Sequence, residues 1–338
     1  MVKEAYFYRK LTNNKVQCRT CAHFCNLVPE ETGECGVRKN IDGHLYSLVY
    51  GQAAALNVDP IEKKPLFHFY PGTSSLSVGT SGCPLACANC QNWSLSQGPK
   101  INSTIEGRHV SPEEIVTTAK SYNSPTISYT YTEPTAFLEY ALDTMKLARA
   151  EGLKNCLVSH GFMSKESASA IIPYLDANNI DIKSFSNEFY KQNCNARLRP
   201  VLDTAKMMKD AGVWIEITTL AIPTLSDSEE MFNDIADFIY RELGPETPWH
   251  ITRFSGYISW KLHHLPDTPL RTLQKGYKIG KKRGLNHVYL GNVPGNNLEN
   301  TYCPGCEALC IDRTGFSLNR YDKHGKCPHC DADLHIID

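Results

Sequence analysis

The sequence predicts an α/β fold, a parallel sheet or barrel with a Cys-rich appendage at each end. Two observations lead there. Between about residues 75 and 299, apolar runs of strand length alternate with longer segments of helical periodicity, the pattern of repeated β/α units. Outside those limits the chain carries closely spaced cysteines, up to about Arg38 and again from about Asn300. The division that follows is 1–74, a Cys-rich N-terminal extension with a hairpin; 75–299, the β/α core; and 300–338, a C-terminal metal knuckle.

Taken in order, His44 to Tyr50 follows Asp42-Gly43 and reads as one arm of a hairpin, because Asp-Gly suits a tight turn whose central residues have positive φ. Core strands are expected at Ser75 to Thr80, Thr126 to Tyr131, Asn155 to Ser159, Ile180 to Lys183, Val213 to Leu220, His250 to Phe254 and His287 to Leu290. Helix-start signals stand at Ser111-Pro112, Glu133-Pro134 and Ser226-Asp227. The Gly-, Pro- and Asn-rich run Gly291 to Asn300 reads as a linker or an ordered loop. Neither an internal repeat nor a low-complexity tract interrupts the pattern.

With 338 residues, 41% hydrophobic and 21% charged, the chain has the composition of a globular protein with a substantial core. A net charge of -1 supplies no drive toward nucleic acid or an anionic membrane. No apolar stretch is long enough to span a bilayer, and Met1 to Lys10 contains no signal core, so a cytoplasmic protein without a membrane partner is expected. Of the fourteen cysteines, all but Cys156 and Cys194 lie in or beside three groups, which favours metal ligation over the disulfide framework of a short secreted chain. Cys156 and Cys194 read as small buried hydrophobes, and Cys310 falls outside the paired spacing of its neighbours.

The segment Gly82-Cys83-Pro84-Leu85-Ala86-Cys87-Ala88-Asn89-Cys90 places three thiols at C-x3-C-x2-C spacing just after the first core strand. Three thiolates can wrap one cubane and leave a fourth iron without a protein ligand. Spacing alone also admits zinc with a distant fourth ligand.

At this motif the chain resembles the radical S-adenosylmethionine superfamily. The likeness continues through Tyr129-Thr130-Tyr131-Thr132-Glu133-Pro134-Thr135, through Val158-Ser159-His160-Gly161-Phe162, and through Asp181-Ile182-Lys183, which look like elements of the pyruvate formate-lyase activating enzyme group. Narrower still is a resemblance to the radical enzyme of the AmmeMemoRadiSam group. It is carried by Asp59 to Leu66, Arg199 to Asp203, Pro248 to Phe254, Gly291 to Gly295 and both Cys-rich ends. The resemblance implies a partial (β/α)6 TIM-like barrel, a [4Fe-4S] cluster on Cys83, Cys87 and Cys90, and S-adenosylmethionine as cofactor. It places Thr132, Glu133, Ser159, Asp181 and Lys183 at that cofactor, with Glu133 on its amino group. Read without the resemblance, Glu133 is a helix-start acid favoured by the helix dipole. The chain departs from the pattern at His160, where Asn is usual, at Asn89 before the third cysteine, at Thr224-Leu225-Ser226-Asp227, and at Ser255 after Phe254.

Cys303-x2-Cys306 and Cys327-x2-Cys330 form a zinc-ribbon or rubredoxin-like pair of knuckles, with structural zinc preferred to iron. Cys18-x2-Cys21-x3-Cys25 with Cys35 leaves zinc and a second [4Fe-4S] cluster open; a cluster would suggest an electron relay and zinc a clamp.

The resemblance implies an enzyme in which a low-potential donor of ferredoxin or flavodoxin type reduces the cluster, adenosylmethionine is cleaved to a 5′-deoxyadenosyl radical, and that radical takes hydrogen from a substrate, small molecule or protein. An activase for a glycyl-radical enzyme is one alternative. A non-catalytic zinc protein binding RNA or protein is another, against which near-neutral charge and the lack of a basic aromatic platform count. Tyr129, Tyr131, His250, Arg253 and Tyr257 are candidates for a cavity wall or for core packing.

Overall fold

The computed structural model describes residues 2–338. Its main sheet sets β1 (Ala55–Pro60), β2 (Ser74–Gly79), β3 (Thr126–Tyr129), β4 (Lys154–Ser159), β5 (Ala177–Asp181), β6 (Trp214–Ala221), β7 (Trp249–Arg253) and β8 (Val288–Gly291) side by side in chain order. Strands β2 to β8 are parallel and β1 runs antiparallel to β2. Parallel neighbours cannot be joined by a tight turn, so each connection carries helix. In the first are α1 (Trp93–Ile101) and α2 (Pro112–Ser121), followed by α3 (Leu138–Ala150), α4 (Lys165–Ile171), α5 (Asn187–Cys194) with α6 (Leu198–Asp210), α7 (Glu229–Phe238) and α8 (Leu270–Arg283). This is six β/α units closed by a seventh parallel strand.

Local chemistry sets the boundaries. Ser111 caps α2 by accepting from Glu114 N–H, and the Glu114 carboxylate accepts from Ser111 N–H, a reciprocal capping box. Glu133 caps the 3-10 turn Pro134–Phe137 that opens into α3. The start expected at Ser226-Asp227 is displaced: Ser228 is the cap of α7, while Ser226 and Asp227 close the preceding turn onto Leu220, Ile222 and Thr224. Strand β5 begins at Ala177 rather than Ile180. Asn178 and Asn179 hid it, because both are fully buried polar residues, with the Asn179 amide donating to Pro65 O at 2.7 Å.

Side chains alternate across the strands. Ile180, Ile215, Ile217 and Ile251 join helix residues Met208, Phe232 and Ile235 in the apolar core, each contributing about 1.5–3 kcal/mol by burial. Their neighbours Asn179, Asp181, Thr218, Leu220, His250 and Thr252 line the inner cavity.

The head comprises two small antiparallel sheets, and the Asp42-Gly43 turn joins Arg38–Ile41 to His44–Ser47 with φ of +48° and +82°. It is bolted to the barrel by Arg38, whose guanidinium grips the Glu139 carboxylate at 2.9 and 2.6 Å with both groups buried. The tail is a three-stranded antiparallel sheet, Thr301–Tyr302, Leu309–Thr314 and Ser317–Arg320. Buried Arg313 docks it, donating to Glu299 O, Thr301 Oγ1 and Phe67 O and stacking on Phe67. Among the described residues no helix is long and apolar enough to cross a membrane.

Candidate metal and cofactor sites

The loop after β2 carries Cys83, Cys87 and Cys90, and its backbone is fixed from three sides. Ala86 and Ala88 N–H donate to Cys194 O and Asn193 O at the end of α5, at 2.9 and 2.7 Å. Trp260 and Lys261 N–H donate to Cys90 O and Ala88 O, and Gly82 N–H donates to Leu95 O. Gly82 is required: φ is +96°, and a Cβ would stand 2.6 Å from Val37 and 2.9 Å from Cys35 O.

All three cysteines border one cavity of about 740 Å³ that continues down the barrel and is also lined by Thr132, Glu133, Ser159, Asp181 and Lys183. Every cofactor-contact residue named from the sequence therefore lies on the same cavity as the thiols. Cys87 is drawn down to about 7, first by the neighbouring Cys194 thiol, then against its burial by the Lys183 ammonium. Cys194, expected from the sequence to be a small buried hydrophobe, is fully buried in the apolar core and lies beside Cys87, which together with burial holds its thiol well above the usual range. Lys183 Nζ donates to Asp181 Oδ2 at 2.8 Å; burial opposes its charge, yet Asp181 and the Cys87 and Cys194 sulfurs hold it well above the ordinary value.

Glu133 is almost fully buried, which raises its pKa, and most of its lone pairs are already used. Oε1 accepts from Thr135 N–H, Thr135 Oγ1 and Ser159 Oγ at 3.1, 2.6 and 2.9 Å, and Oε2 accepts from His160 N–H at 3.0 Å. A carboxylate offers about four lone-pair positions, so only Oε2 retains capacity. His160 Nδ1 accepts from Phe162 N–H, leaving the hydrogen on Nε2; this nitrogen lies 3.2 Å from Glu133 Oε2 but out of hydrogen-bonding alignment. Burial, and then Lys183, keep the ring neutral.

The lumen was not legible in the sequence. Among the described residues, Glu62 Oε2, Asn89 Oδ1, His160 Nε2, Asn179 Oδ1 and Thr218 Oγ1 are buried without a hydrogen-bond partner, and all five residues line this cavity. Buried polar atoms are ordinarily satisfied, so a concentration of orphans marks space for a polar ligand or water. Of the aromatic and basic candidates, Tyr131, His250 and Arg253 face the cavity, Tyr129 is buried with its hydroxyl on Asn155, and Tyr257 is 94% exposed.

The tail differs. Cys303 to Cys330 and Cys306 to Cys327 are each 3.5 Å between sulfurs, and Gly305 N–H and His329 N–H point at the first sulfur of each knuckle. A tetrahedral ion with metal–sulfur bonds of about 2.3 Å needs edges of about 3.8 Å, so the four sulfurs fit one ion. Among the described residues this is the only set of three or more Cys, His, Asp or Glu whose ligand atoms all lie within 4.8 Å of one another. The thiols of the loop and of the head are spread more widely. Cys310 is buried beside the tail set with its thiol on Ala308 O, and Cys156 is buried among Ile61, Leu66, Phe69 and Ala177.

Comparison with known proteins agrees with this geometry. Residues 77–239 match the family model described as the Radical SAM superfamily. An uncharacterized protein of Methanocaldococcus jannaschii is 44% identical over 99% of this chain and 100% of its own length. The pyruvate formate-lyase-activating enzyme of Clostridium pasteurianum is 24% identical over 62% of this chain and 90% of that protein. Among solved structures, Streptococcus suis SuiB bound to precursor peptide SuiA superposes with a TM-score of 0.51 at 14% identity, covering 70% of this chain and 52% of that one, a likeness of fold. The three-cysteine loop over a parallel β/α barrel and the matching family model together make the chain an enzyme of the radical S-adenosylmethionine superfamily, a membership that implies a [4Fe-4S] cluster and S-adenosylmethionine.

Proposed function

We propose that the chain reductively cleaves S-adenosylmethionine at a [4Fe-4S] cluster held by Cys83, Cys87 and Cys90 and uses the resulting radical to take hydrogen from a small polar substrate in the barrel. The observation that carries this reading is the single cavity that joins the three thiols to Glu133, Lys183 and the unpartnered lumen atoms. Bound there, the cluster and adenosylmethionine supply a one-electron reductant and a 5′-deoxyadenosyl radical. The protein's own residues do the rest. Cys194 and Lys183 stabilise the Cys87 thiolate. Glu133 ties the ends of β3 and β4 together through Thr135, Ser159 and His160, and keeps Oε2 for the cofactor's ammonium. Thr132 anchors its turn by donating to Thr80 O, and the Lys183 ammonium, braced on Asp181, offers a counter-charge to the cofactor carboxylate. Lower in the lumen, Glu62, Asn179 and Thr218 present mainly acceptors, which suits a substrate bearing hydroxyl or amino hydrogens.

A low-potential ferredoxin or flavodoxin would supply the electron, the cytoplasm is the location proposed, and the tail set takes structural zinc. Similarity to a pyruvate formate-lyase-activating enzyme favours one second reading, an activase acting on a partner protein. Incubating the reduced, reconstituted enzyme with adenosylmethionine and cell extract tests both: 5′-deoxyadenosine formation stimulated by the small-molecule fraction supports the first, stimulation by the protein fraction the second, and no 5′-deoxyadenosine under either condition rejects the chemistry.

A further inference from the structure

The head carries four cysteines that the proposed reaction does not use. Cys18, Cys21 and Cys35 are buried and Cys25 half-buried. Cys18 N–H donates to Cys25 O at 2.9 Å, closing the loop that presents the first three. Apolar side chains Ala5, Val16, Leu27 and Leu45 surround Cys18 and Cys25. The turn that carries Cys35 lies against that loop, since a Cβ at Gly33 would stand 3.6 Å from the Cys25 sulfur, Gly36 N–H donates to Gly33 O, and Phe24 N–H donates to Cys21 O. Yet the four thiols are not in contact as the tail thiols are, and no three of them lie within the 4.8 Å that gathers the tail set. The same is true of Cys83, Cys87 and Cys90. One chain thus folds one set of cysteines to the spacing of a single ion and two sets to a wider spacing, as several iron and sulfide ions between the thiolates require.

The head also lies against the central loop. Cys35 O and Val37 are what bar a side chain at Gly82, next to Cys83, and His23 Nε2 is 3.0 Å from Pro84 O. Gly36, after Cys35, has φ of +75° and packs against Pro99 and Lys100 of α1. The Lys100 ammonium in turn donates to Leu85 O of the central loop at 2.9 Å.

We propose that Cys18, Cys21, Cys25 and Cys35 ligate a second four-iron, four-sulfur cluster rather than a single zinc ion, and that it passes one electron from the external low-potential donor to the central site. The transfer oxidises the head cluster and reduces the central one by one electron each, with no bond or proton moved. The proposal rests on the central loop holding a cluster, because the spacing argument compares the two.

The test is the cubane iron content of the anaerobically reconstituted full chain by metal analysis and Mössbauer spectroscopy. About eight irons per chain in cubanes is the expected result; about four overturns the proposal, whatever zinc accompanies them. The triple variant Cys83→Ala, Cys87→Ala, Cys90→Ala should keep about four irons in a reducible cluster whose electron-spin spectrum ignores adenosylmethionine. Loss of all cubane iron from that variant sinks the head cluster and leaves the central reading intact. An adenosylmethionine response surviving in it overturns the central reading and the comparison built on it.

Discussion

In the tail, each cysteine of the set has another sulfur as its partner at 3.5 Å, and the four close on one another. At the barrel mouth, Cys83, Cys87 and Cys90 instead border a cavity, with Cys194, Ser96 and Lys183 as their polar company. A closed sulfur tetrahedron can stabilise a fold but has no free position for a reactant, whereas three thiols over a cavity leave a metal site open on the side where chemistry can occur. The tail needs such a stabiliser. Its separate core holds little beyond Cys303, Cys310, Cys327 and Leu334, while the mouth loop is held by a barrel that folds around it.

The largest effect should come from breaking the open site. Replacing Cys83, Cys87 and Cys90 together by Ala should abolish 5′-deoxyadenosine formation while the tail keeps its metal, measured by product assay and zinc content of the same preparation. Retained turnover would place the reactive metal elsewhere.

Breaking the closed site should cost stability. Changing Cys303 and Cys327 to Ser should remove one equivalent of metal, and because metal binding supplies about 10 kcal/mol or more to small zinc modules, residues after Asn300 should become protease-sensitive before the barrel does. Unchanged metal content, or a tail no easier to cleave, would show that these sulfurs are not ligands.

A third experiment concerns the seam between the regions. His68 donates from Nδ1 to Leu334 O of the tail and accepts at Nε2 from the Tyr289 hydroxyl of β8, and burial lowers its pKa to about 4, against a raising influence from Glu216. Between about pH 6.5 and 4 the unfolded chain binds a proton that the folded chain refuses. Its contribution is therefore complete above about pH 6.5 and declines as pH falls toward 4, by roughly 3 kcal/mol at most. Hydrogen exchange of the tail at pH 7 and pH 5 should show this loosening, and His68→Gln should remove most of the difference; an equal slope in the variant would assign the loosening to the thiols.

The smallest effect sharpens the open site. Glu133→Gln replaces a charge-assisted contact of about 1.5–3 kcal/mol, so adenosylmethionine affinity should fall about ten- to a hundredfold at equal iron content. Titration of variant and wild type decides it. Equal affinities would leave Glu133 with only its capping and loop-tying bonds.

The sequence by itself determined the β/α order and the three cysteine groups, because strand and helix periodicity and ligand spacing are local properties of the chain, while the residues that share the mouth cavity were named by the resemblance of their motifs to a family. Capping at Ser111 and Glu133 was legible for the same reason, whereas Asn178 and Asn179 concealed the start of β5, since the partners of their buried amide nitrogens, Met208 Sδ and Pro65 O, are distant in sequence. Only the tertiary structure decided that Cys194 would reach Cys87, that His160 would keep an unpartnered N–H beside Glu133, and that Glu62, Asn179 and Thr218 would turn into one lumen. It also decided which sulfurs meet and which stand apart. C-x2-C spacing brings two thiols near each other, but the position of the second pair depends on how sheets and loops from distant residues pack, and that distance separates a site for one ion from a site for a cluster.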